Sequence, residues 1–333
     1  MPSSRRKALI IGYQGQDGSY LDDSLRSDGW AVSGLGSRHL RMADGTVGGA
    51  VALHDRPAVA RMIEAVAPDV VYYLAAHHHS SQDRAVKDDS TALLSVDVNL
   101  SGLVNVLHCL VNRPRCRLLY ASSSHVFGAA IQSPQSETTP LDPATPYAVT
   151  KAAGMRFCRI YREEWGVFAS SAILYNHESP RRPPNFLSRR LAHAVARIAF
   201  GSDETITVGS LDAGADWGYA TDYIAAMRAV VDLPAPGDFV VATGEFHTVR
   251  DFISEAFSAV GISDWQSRVV ENGSLLARAS LNLVGNAAKL RAATGWRPSV
   301  SFAELVRLLV QAEIDHLRGN ADAGANADND PDL

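Results

Sequence analysis

Three glycines that follow the first apolar segment constrain the fold of this chain more than any other feature. Residues 7–12 (KALIIG) are typical of a buried parallel strand, and a G-x-x-G-x-x-G pattern leads from them into a helical segment. Glycine removes side chains where a dinucleotide pyrophosphate approaches the backbone, and a helix N-terminus supplies free N–H donors. The alternative is an ordinary turn that uses glycine for positive φ. The predicted cofactor-binding residues are Gly12, Gly15, Gln16, Asp17 and Gly18.

Strand-like and helix-like segments alternate through the first half of the chain. The strand-like segments are 7–12, 30–35, 70–75, 117–121 and 167–174, and the helix-like segments are 19–27, 56–66, 93–110 and 146–165. This alternation predicts an α/β fold, a Rossmann-type doubly wound parallel sheet with a smaller C-terminal α/β substrate-binding lobe. The expected domains are residues 1–175 with parts of 210–245 for the dinucleotide, mainly 176–318 for the lobe, and 319–333 as a disordered acidic tail.

The composition excludes several other classes of protein. The 333 residues carry a formal net charge of −5, so no nucleic-acid partner is expected. Three cysteines without a Cys-x-x-Cys pair indicate a reducing, cytoplasmic compartment. No apolar stretch approaches the ~20 residues of a membrane helix, so no membrane partner is expected. The consecutive His77, His78 and His79 point in alternating directions on an extended chain, so we predict no metal site and expect them to line the ligand pocket.

The end of the second strand distinguishes NADP from NAD. An acidic side chain there would hold the ribose hydroxyls and repel a 2′-phosphate, but residues 34–38 read GLGSR and contain no acid. Ser37 and Arg38 can receive the 2′-phosphate, so the sequence favours NADP as the cofactor over NAD. The alternative is that Arg38 is a solvated side chain in a loop.

A tyrosine and a lysine four residues apart form a second candidate constellation. Tyr147 and Lys151 share one face of a predicted helix, where an ammonium group lowers the pKa of a phenol. A phenolate can take a proton from a substrate hydroxyl while a nicotinamide accepts a hydride. Ser123 lies in a serine cluster at the end of a strand, the sheet edge where substrates bind. The alternative is a surface Tyr and Lys beside a serine-rich turn.

These residues together resemble a known family. From about residue 7 to about residue 316 the chain resembles the extended short-chain dehydrogenase/reductase enzymes that act on nucleotide sugars, and among them the GDP-mannose 4,6-dehydratases. The asparagine-to-arginine segment and the Asp-Trp-Gly segment are more specific than the glycine loop. The matching segments are GQDGSYL (15–21), PYAVTK (146–151), LYNHESPRR (174–182), DWGYA (216–220) and ATGE (242–245).

The resemblance implies a reaction and a set of site residues. The family oxidises the sugar C4 hydroxyl with bound NADP, removes the C5 proton with a glutamate, loses water from C6 and returns the hydride to C6. It implies that Ser123 lies beside C4, with Tyr147 as the base and Lys151 as its partner. The implied further cofactor contacts are Leu53, Leu74, Ala75, Ala76, Tyr147, Lys151 and His177. The implied substrate contacts are His79, Ser124, Asn176, Arg190 and Arg278.

The family also pairs its long helices across a two-fold axis, so the resemblance implies a homodimer or homotetramer. The chain departs from the family pattern at three positions. Ala215 replaces an arginine before Asp216, Ala52 stands where an aspartate helps to hold the adenine, and His125 replaces the glutamate that acts as the elimination base.

The exchange at His125 leaves several functions open. A neutral imidazole acts as a base near pH 7, so elimination from GDP-mannose or a related GDP-sugar can survive. Loss of elimination would leave a C4 dehydrogenase, ketoreductase or epimerase of a nucleotide sugar. His125 would have no catalytic role in the third interpretation. A catalytically inactive dinucleotide-binding protein is a further alternative, against which Ser123, Tyr147 and Lys151 count.

Overall fold

The computed structural model describes residues 5–77, 89–275 and 282–327. The strands are β1 (Lys7–Ile11), β2 (Ala31–Leu35), β3 (Leu40–Arg41), β4 (Val47–Gly48), β5 (Val70–Tyr73), β6 (Arg117–Ser123), β7 (Phe168–Leu174), β8 (Asn176–Glu178), β9 (Ile206–Val208), β10 (Gly214–Ala215), β11 (Trp217–Tyr219), β12 (Asp238–Val241), β13 (His247–Thr248) and β14 (Val269–Glu271). The helices are α1 (Gln16–Ser27), α2 (Arg56–Val66), α3 (Asp89–Ser95), α4 (Gly102–Leu110), α5 (Pro146–Trp165), α6 (Leu187–Ala199), α7 (Ala220–Asp232), α8 (Val249–Ala259), α9 (Ala288–Thr294) and α10 (Phe302–Ala327). A π-helical segment, Val96–Ser101, joins α3 to α4, and short 3₁₀ turns span Ser124–Phe127, Gln266–Arg268 and Gly273–Leu275.

An eight-stranded sheet in the order β12-β7-β6-β5-β1-β2-β3-β4 forms the centre of the molecule. The strands from β12 to β2 pair in parallel, and the short β3 and β4 are antiparallel. The strand order reverses between β1 and β5, which places a ligand crevice at the carboxyl ends of these two strands. The structure therefore confirms the predicted α/β fold with a Rossmann-type doubly wound sheet.

Two hydrophobic cores divide the described residues. The larger core contains the central sheet and the apolar faces of α1, α2, α4, α5, α7 and α9. The smaller core lies among α6, α8 and α10, where Trp217 stacks on Phe302 at a ring-centroid distance of 5.9 Å. The second core forms a lobe beside the carboxyl edge of the sheet, because β8 follows directly from β7 and pairs with β11.

One apolar helical stretch is longer than the sequence analysis allowed. Ala92–Leu110 is long and apolar enough to cross a membrane by length and composition, so the expectation that no stretch approaches this length is wrong. In the fold, Leu103, Val106 and Leu107 of this stretch are buried in the main core. Leu93, Leu94 and Val96 of the same stretch are exposed.

The C-terminal helix also differs from expectation. α10 continues to Ala327, so residues 319–327 are helical where the sequence predicted disorder. Alanine occupies every second position from Ala321 to Ala327. Alanine has the highest helix propensity, and a helix that is already nucleated extends at little cost.

Candidate active site

The glycine loop joins β1 to α1, and its three glycines have different environments. Gly12 has a φ of +96°, and a Cβ there would lie 2.7 Å from the backbone nitrogen of Ala75. A Cβ on Gly18 would lie 2.2 Å from the Gly12 carbonyl oxygen. Gly15, the N-cap of α1, has only that oxygen near it, at 3.4 Å from an added Cβ. The open backbone at Gly15 and the free N–H groups of the first helical turn fit a pyrophosphate.

The predicted 2′-phosphate contacts follow β2 next to this loop. Ser37 and Arg38 are exposed, and among the described residues Arg38 has no ion pair or hydrogen bond. The neighbouring Arg41 differs, because its guanidinium lies 2.5 Å from the Asp22 carboxylate and stacks on Tyr13. Arg38 is therefore the cation at this strand end that remains available to an anion.

The remaining predicted cofactor contacts lie beside the crevice. Leu74 and Ala75 are half-buried and Ala76 is exposed directly after β5. Leu53 is half-buried in the loop between β4 and α2, where it contacts α4 at Gly102 and its carbonyl accepts from Asn105 at 2.9 Å. The structure thus brings the carboxyl ends of β1 and β5 together around the glycine loop.

A buried hydrogen-bond network ties the glycine loop to β8. Gln16 donates to the His177 carbonyl oxygen at 3.1 Å and accepts from the Ser179 hydroxyl at 2.8 Å. His177 lies 3.0 Å from the Asp17 carboxylate and stacks on Tyr223. Burial acts to raise the pKa of Asp17, but the charge and hydrogen bond of His177 outweigh it and hold that pKa below its usual value. Burial likewise acts to lower the pKa of His177, and Asp17 raises it overall.

Ser123, Tyr147 and His125 meet at the carboxyl edge of β6. The Ser123 hydroxyl accepts from the His125 backbone N–H at 3.3 Å and acts to lower the pKa of the neighbouring Tyr147 phenol. The half-buried His125 ring stands edge-on to the Tyr147 ring, with the centroids 6.1 Å apart. The structure therefore places Ser123, His125 and Tyr147 next to one another at the carboxyl edge of β6.

Lys151 lies next to Tyr147 and is 1% exposed. Its Nζ donates to the Ala121 carbonyl oxygen at 2.7 Å and is 5.7 Å from the centroid of the Tyr147 ring. Burial lowers the pKa of the Lys151 ammonium to about 7, against the raising influence of Asp17. Burial also raises the pKa of Tyr147, against the Ser123 hydrogen bond and the charge of Arg182. The pKa of Tyr147 is therefore raised by burial, whereas the Tyr-x-x-x-Lys spacing predicts a lowered pKa.

Asn99 is a site residue that the sequence analysis missed. It is fully buried in the π-helical segment, where its side chain accepts from the His77 backbone N–H at 2.8 Å and donates to the Thr150 hydroxyl at 3.1 Å. These bonds join the loop after β5 to α5 next to Lys151. Segment 93–110 is largely apolar and contains two amides, Asn99 and Asn105, and an amide in such a segment is the signal that could have identified it.

The predicted substrate contacts are distributed over several elements. Ser124 is buried in the turn after β6, Asn176 is half-buried at the start of β8, and Arg190 is exposed on α6. The charge of Arg182 acts to lower the pKa of both Tyr147 and Asp17. His79 and Arg278 lie outside the described residues.

The Asp-Trp-Gly segment holds two neighbouring loops through hydrogen bonds to Asp216. The buried Asp216 carboxylate accepts from the Thr243 backbone and hydroxyl at 2.9 and 2.6 Å, and from the backbone N–H groups of Gly244 and Gly285 at 2.9 and 3.1 Å. Trp217 is buried and packs in the core of the lobe. Within the described ranges, no group of three His, Cys, Asp or Glu side chains could hold a metal ion.

A doubly wound sheet with a glycine cradle and a Ser–Tyr–Lys site defines an extended short-chain dehydrogenase/reductase. The family model described as GDP-mannose 4,6 dehydratase matches residues 9–309. The chain is 35% identical to GDP-mannose 4,6 dehydratase 1 of Arabidopsis thaliana, over 96% of this chain and 94% of the relative. It is 34% identical to the human GDP-mannose 4,6 dehydratase, over 97% and 95% of the two chains. The chain belongs to the GDP-mannose 4,6 dehydratase family of nucleotide-sugar enzymes.

Solved structures show the same fold. The UDP-glucose 4-epimerase of Thermus thermophilus in complex with NAD superimposes with a TM-score of 0.74 at 27% identity, covering 94% of this chain and 99% of the epimerase. RMD from Pseudomonas aeruginosa in complex with NADPH superimposes with a TM-score of 0.77 at 22% identity, covering 93% and 99%. These proteins bind one or the other nicotinamide dinucleotide, and the likeness agrees with the cradle around Gly15.

Proposed function

We propose that this protein is an NADP-dependent enzyme that oxidises the C4 hydroxyl of a GDP-sugar and then eliminates water, as a 4,6-dehydratase. The observation that carries the proposal is the arrangement of Ser123 and Tyr147 beside the buried Lys151, at the sheet edge where the glycine cradle lies. The relatives named GDP-mannose 4,6 dehydratase make GDP-mannose the first substrate to test.

The cradle would hold the cofactor through this chain's own groups. The backbone at Gly15 and the first turn of α1 fit the pyrophosphate, and the exposed Ser37 and Arg38 suit a 2′-phosphate, which favours NADP over NAD. When bound, the nicotinamide supplies the hydride acceptor for oxidation at C4 and the hydride donor for reduction at C6.

Tyr147 acts as the base for the oxidation. Its phenolate takes the proton of the C4 hydroxyl, while the Ser123 hydroxyl, which acts to lower the pKa of the phenol, hydrogen-bonds to the same sugar oxygen and orients it. Because burial raises the pKa of Tyr147, the phenolate needs nearby positive charge, which Lys151 and Arg182 supply. Both protonated side chains therefore help to bring the tyrosine pKa into the working range.

His125 acts as the base for the elimination. Its ring lies edge-on to Tyr147, so one pocket presents both bases to adjacent sugar carbons. The neutral imidazole takes the C5 proton, the C5–H electrons form a C5–C6 double bond next to the C4 ketone, and the C6 hydroxyl leaves. The imidazolium gives its proton to that hydroxyl, which departs as water.

A second function is favoured by the same substitution. Imidazole and carboxylate differ in reach and direction, and a misplacement of ~1 Å can reduce a rate about a hundredfold. With a misaligned histidine the protein would be a C4 dehydrogenase, ketoreductase or epimerase of a GDP- or other nucleotide sugar. That reaction would use Ser123, Tyr147 and Lys151 in the same roles.

We also propose that the protein is a homodimer or a homotetramer. Helices α3 and α5 and the π-helical segment expose a set of large apolar side chains: Leu93, Leu94, Val96, Val149, Ile160 and Trp165. Several large exposed apolar side chains on neighbouring helices are typical of a protein interface. Light scattering of the wild type and of the variant Leu93→Glu tests it, with a monomeric variant as the expected result.

Mass spectrometry of the product tests the reaction. The wild type, His125→Glu and His125→Ala are each incubated with NADP and GDP-mannose, with Tyr147→Phe as the inactive control. Loss of one water from the sugar in the wild type and not in His125→Ala supports the dehydratase. Water loss in His125→Glu alone supports the second function. If neither the wild type nor His125→Glu changes GDP-mannose, the proposal that GDP-mannose is the substrate is wrong, and other nucleotide sugars are tested.

A further inference from the structure

Lys151 is a buried cation with few polar partners. Among the described residues, the Ala121 carbonyl oxygen is its only hydrogen-bond acceptor, although an ammonium group has three protons to donate. A buried charge is costly unless another group compensates for it. The compensation on the side away from Tyr147 has to come from something other than a hydrogen bond.

The ring of Tyr120 is the aromatic ring that lies nearest to the Lys151 ammonium among the described residues. Tyr120 lies in β6 directly before Ala121, is fully buried, and has its ring centroid 5.0 Å from the Lys151 Nζ. A cation within about 6 Å of an aromatic ring face is attracted by the ring quadrupole, and the attraction is greatest when both groups are desolvated. The ammonium thus lies close to two tyrosine rings, at 5.0 Å from the centroid of Tyr120 and 5.7 Å from that of Tyr147.

The position of the Tyr120 ring is fixed by its neighbours. Gly154 lies on α5 three residues after Lys151, and a Cβ there would lie 2.4 Å from the Tyr120 hydroxyl and 2.5 Å from its Cζ. Tyr73 packs on the opposite side with a centroid distance of 6.1 Å. The Tyr120 hydroxyl has no hydrogen-bond partner within the described part of the chain. The ring, and not the hydroxyl, is therefore the part of this side chain that acts on its surroundings.

We propose that Tyr120 is a positioning residue of the reaction, whose ring face holds the Lys151 ammonium charged and in place beneath Tyr147. This inference rests on the proposed function, since Lys151 supports the Tyr147 phenolate in the oxidation step. The charged groups that face the site from other elements are Asp17 on α1, which favours the ammonium, and Arg182 after β8, which acts on Tyr147.

Removal of the Tyr120 ring is expected to lower the proton affinity of Lys151. The ring favours the charged lysine, so its removal makes the Lys151 ammonium easier to deprotonate. The pKa of Lys151, about 7 with the ring present, then falls further. A less charged Lys151 stabilises the Tyr147 phenolate less, so the pH at which the oxidation rate rises on the acid side moves upward.

Carbon NMR of lysine tests the inference without any substrate. The chain has four lysines, Lys7, Lys87, Lys151 and Lys289, so a protein labelled with ¹³Cε-lysine gives a spectrum that is simple to assign with a Lys151→Met variant. In Tyr120→Leu the Lys151 titration is expected to move down by about half to one pH unit. In Tyr120→Phe, which keeps the ring, it is expected to stay at the wild-type position.

Two further variants separate positioning from simple core packing. Tyr73→Leu removes the same volume from the neighbouring strand without uncovering Lys151, and its Lys151 titration is expected to be unchanged. Gly154→Ala displaces the Tyr120 ring and is expected to move the titration as Tyr120→Leu does, which keeps the test available if Tyr120→Leu does not fold. An unchanged titration in both Tyr120→Leu and Gly154→Ala, or an equal shift in Tyr120→Phe, overturns the inference.

The pH profile of the enzyme supplies the second readout. With a working substrate, Tyr120→Leu is expected to be about three- to tenfold slower than the wild type at pH 7 and to have its acid limb at higher pH. A merely structural role would lower kcat at every pH and leave the limb in place. If no sugar is turned over, the proposed function fails, and the NMR titration still decides the role of Tyr120.

Discussion

Both nitrogens of the His177 ring donate hydrogen bonds, Nε2 to the Asp17 carboxylate at 3.0 Å and Nδ1 to the Tyr175 carbonyl oxygen at 2.7 Å. A carbonyl and an ionised carboxylate only accept, so this geometry requires a doubly protonated, positively charged imidazole. Asp17 lies in the cofactor loop and His177 lies in β8, which leads to the lobe. The ion pair therefore joins the two halves of the site.

This pair predicts a stability contribution that depends on pH. The raised pKa of His177 gives a contribution that is present below its unfolded value of about 6.5 and lost as the pH rises through the folded value. The lowered pKa of Asp17 gives one that is present above about 3.9 and lost as the pH falls through the folded value. The contribution is therefore greatest between about pH 4 and 6.5.

Urea unfolding of the wild type and of His177→Gln checks this expectation. We expect the variant to be less stable by about 3 kcal/mol at pH 5.5, because it leaves the partly buried Asp17 carboxylate without its charged partner. The difference is expected to shrink at pH 9. His54→Gln, at an exposed position, is the control and is expected to change nothing. A difference of the same size at both pH values would contradict the assignment.

The helices that the sequence predicts best are those with local end signals. The bounds of α2 and α5 agree with the predicted segments 56–66 and 146–165. Each helix has a proline in its first turn, and the side chains of Asp55 and Thr145 cap the backbone N–H groups of Ala58 and Ala148. These signals lie within a few residues of the helix start, so the sequence alone contains them.

Features that depend on distant partners were not predictable in this way. The π-helical segment is joined through Asn99 to His77 and Thr150, 22 and 51 residues away. The spacing of Tyr147 and Lys151 correctly places both on one face of α5, but the burial that dominates their pKa values comes from the assembled sheet edge. A sequence pattern identifies such residues without giving their environment.

The glycine loop predicts two alanine variants with different defects. Gly15→Ala is expected to fold with nearly wild-type stability, because an added methyl group has only the Gly12 carbonyl oxygen nearby at 3.4 Å, but to bind NADP at least tenfold more weakly. Gly18→Ala is expected to be destabilised, since its methyl group would lie 2.2 Å from that oxygen. Thermal unfolding and a cofactor titration separate the two defects. Equal cofactor affinity in Gly15→Ala and the wild type would show that the pyrophosphate does not bind next to Gly15.

The exposed Arg38 predicts the preference for NADP. Arg38→Ala is expected to weaken NADP binding by about tenfold to a hundredfold and to leave NAD binding unchanged, because only the 2′-phosphate gains a charge-assisted hydrogen bond. The NADP affinity of the wild type is also expected to fall with added salt. Calorimetry with both cofactors measures this. A parallel loss of NAD affinity would mean that Arg38 supports the loop and does not read the phosphate.

The Asp216 carboxylate predicts a large and local effect of a single-atom exchange. Its Oδ2 accepts from the backbone N–H groups of Gly244 and Gly285. In Asp216→Asn an amide nitrogen in the place of Oδ2 would be a donor facing these two donors. Rotation of the amide would instead turn the nitrogen toward the donors of Thr243. Asp216 is 1% exposed, so no water can take over these bonds. We expect a loss of about 2–4 kcal/mol in the free energy of unfolding.

Chemical denaturation of Asp216→Asn against Glu245→Gln measures this loss, since Glu245 lies in the same loop with its side chain 71% exposed and is expected to be neutral. Asp216 binds both the loop after β12 and the segment that begins at Leu283. The variant is therefore also expected to lose more affinity for the nucleotide sugar than for NADP. Wild-type stability in Asp216→Asn would show that these four hydrogen bonds do not hold the loop.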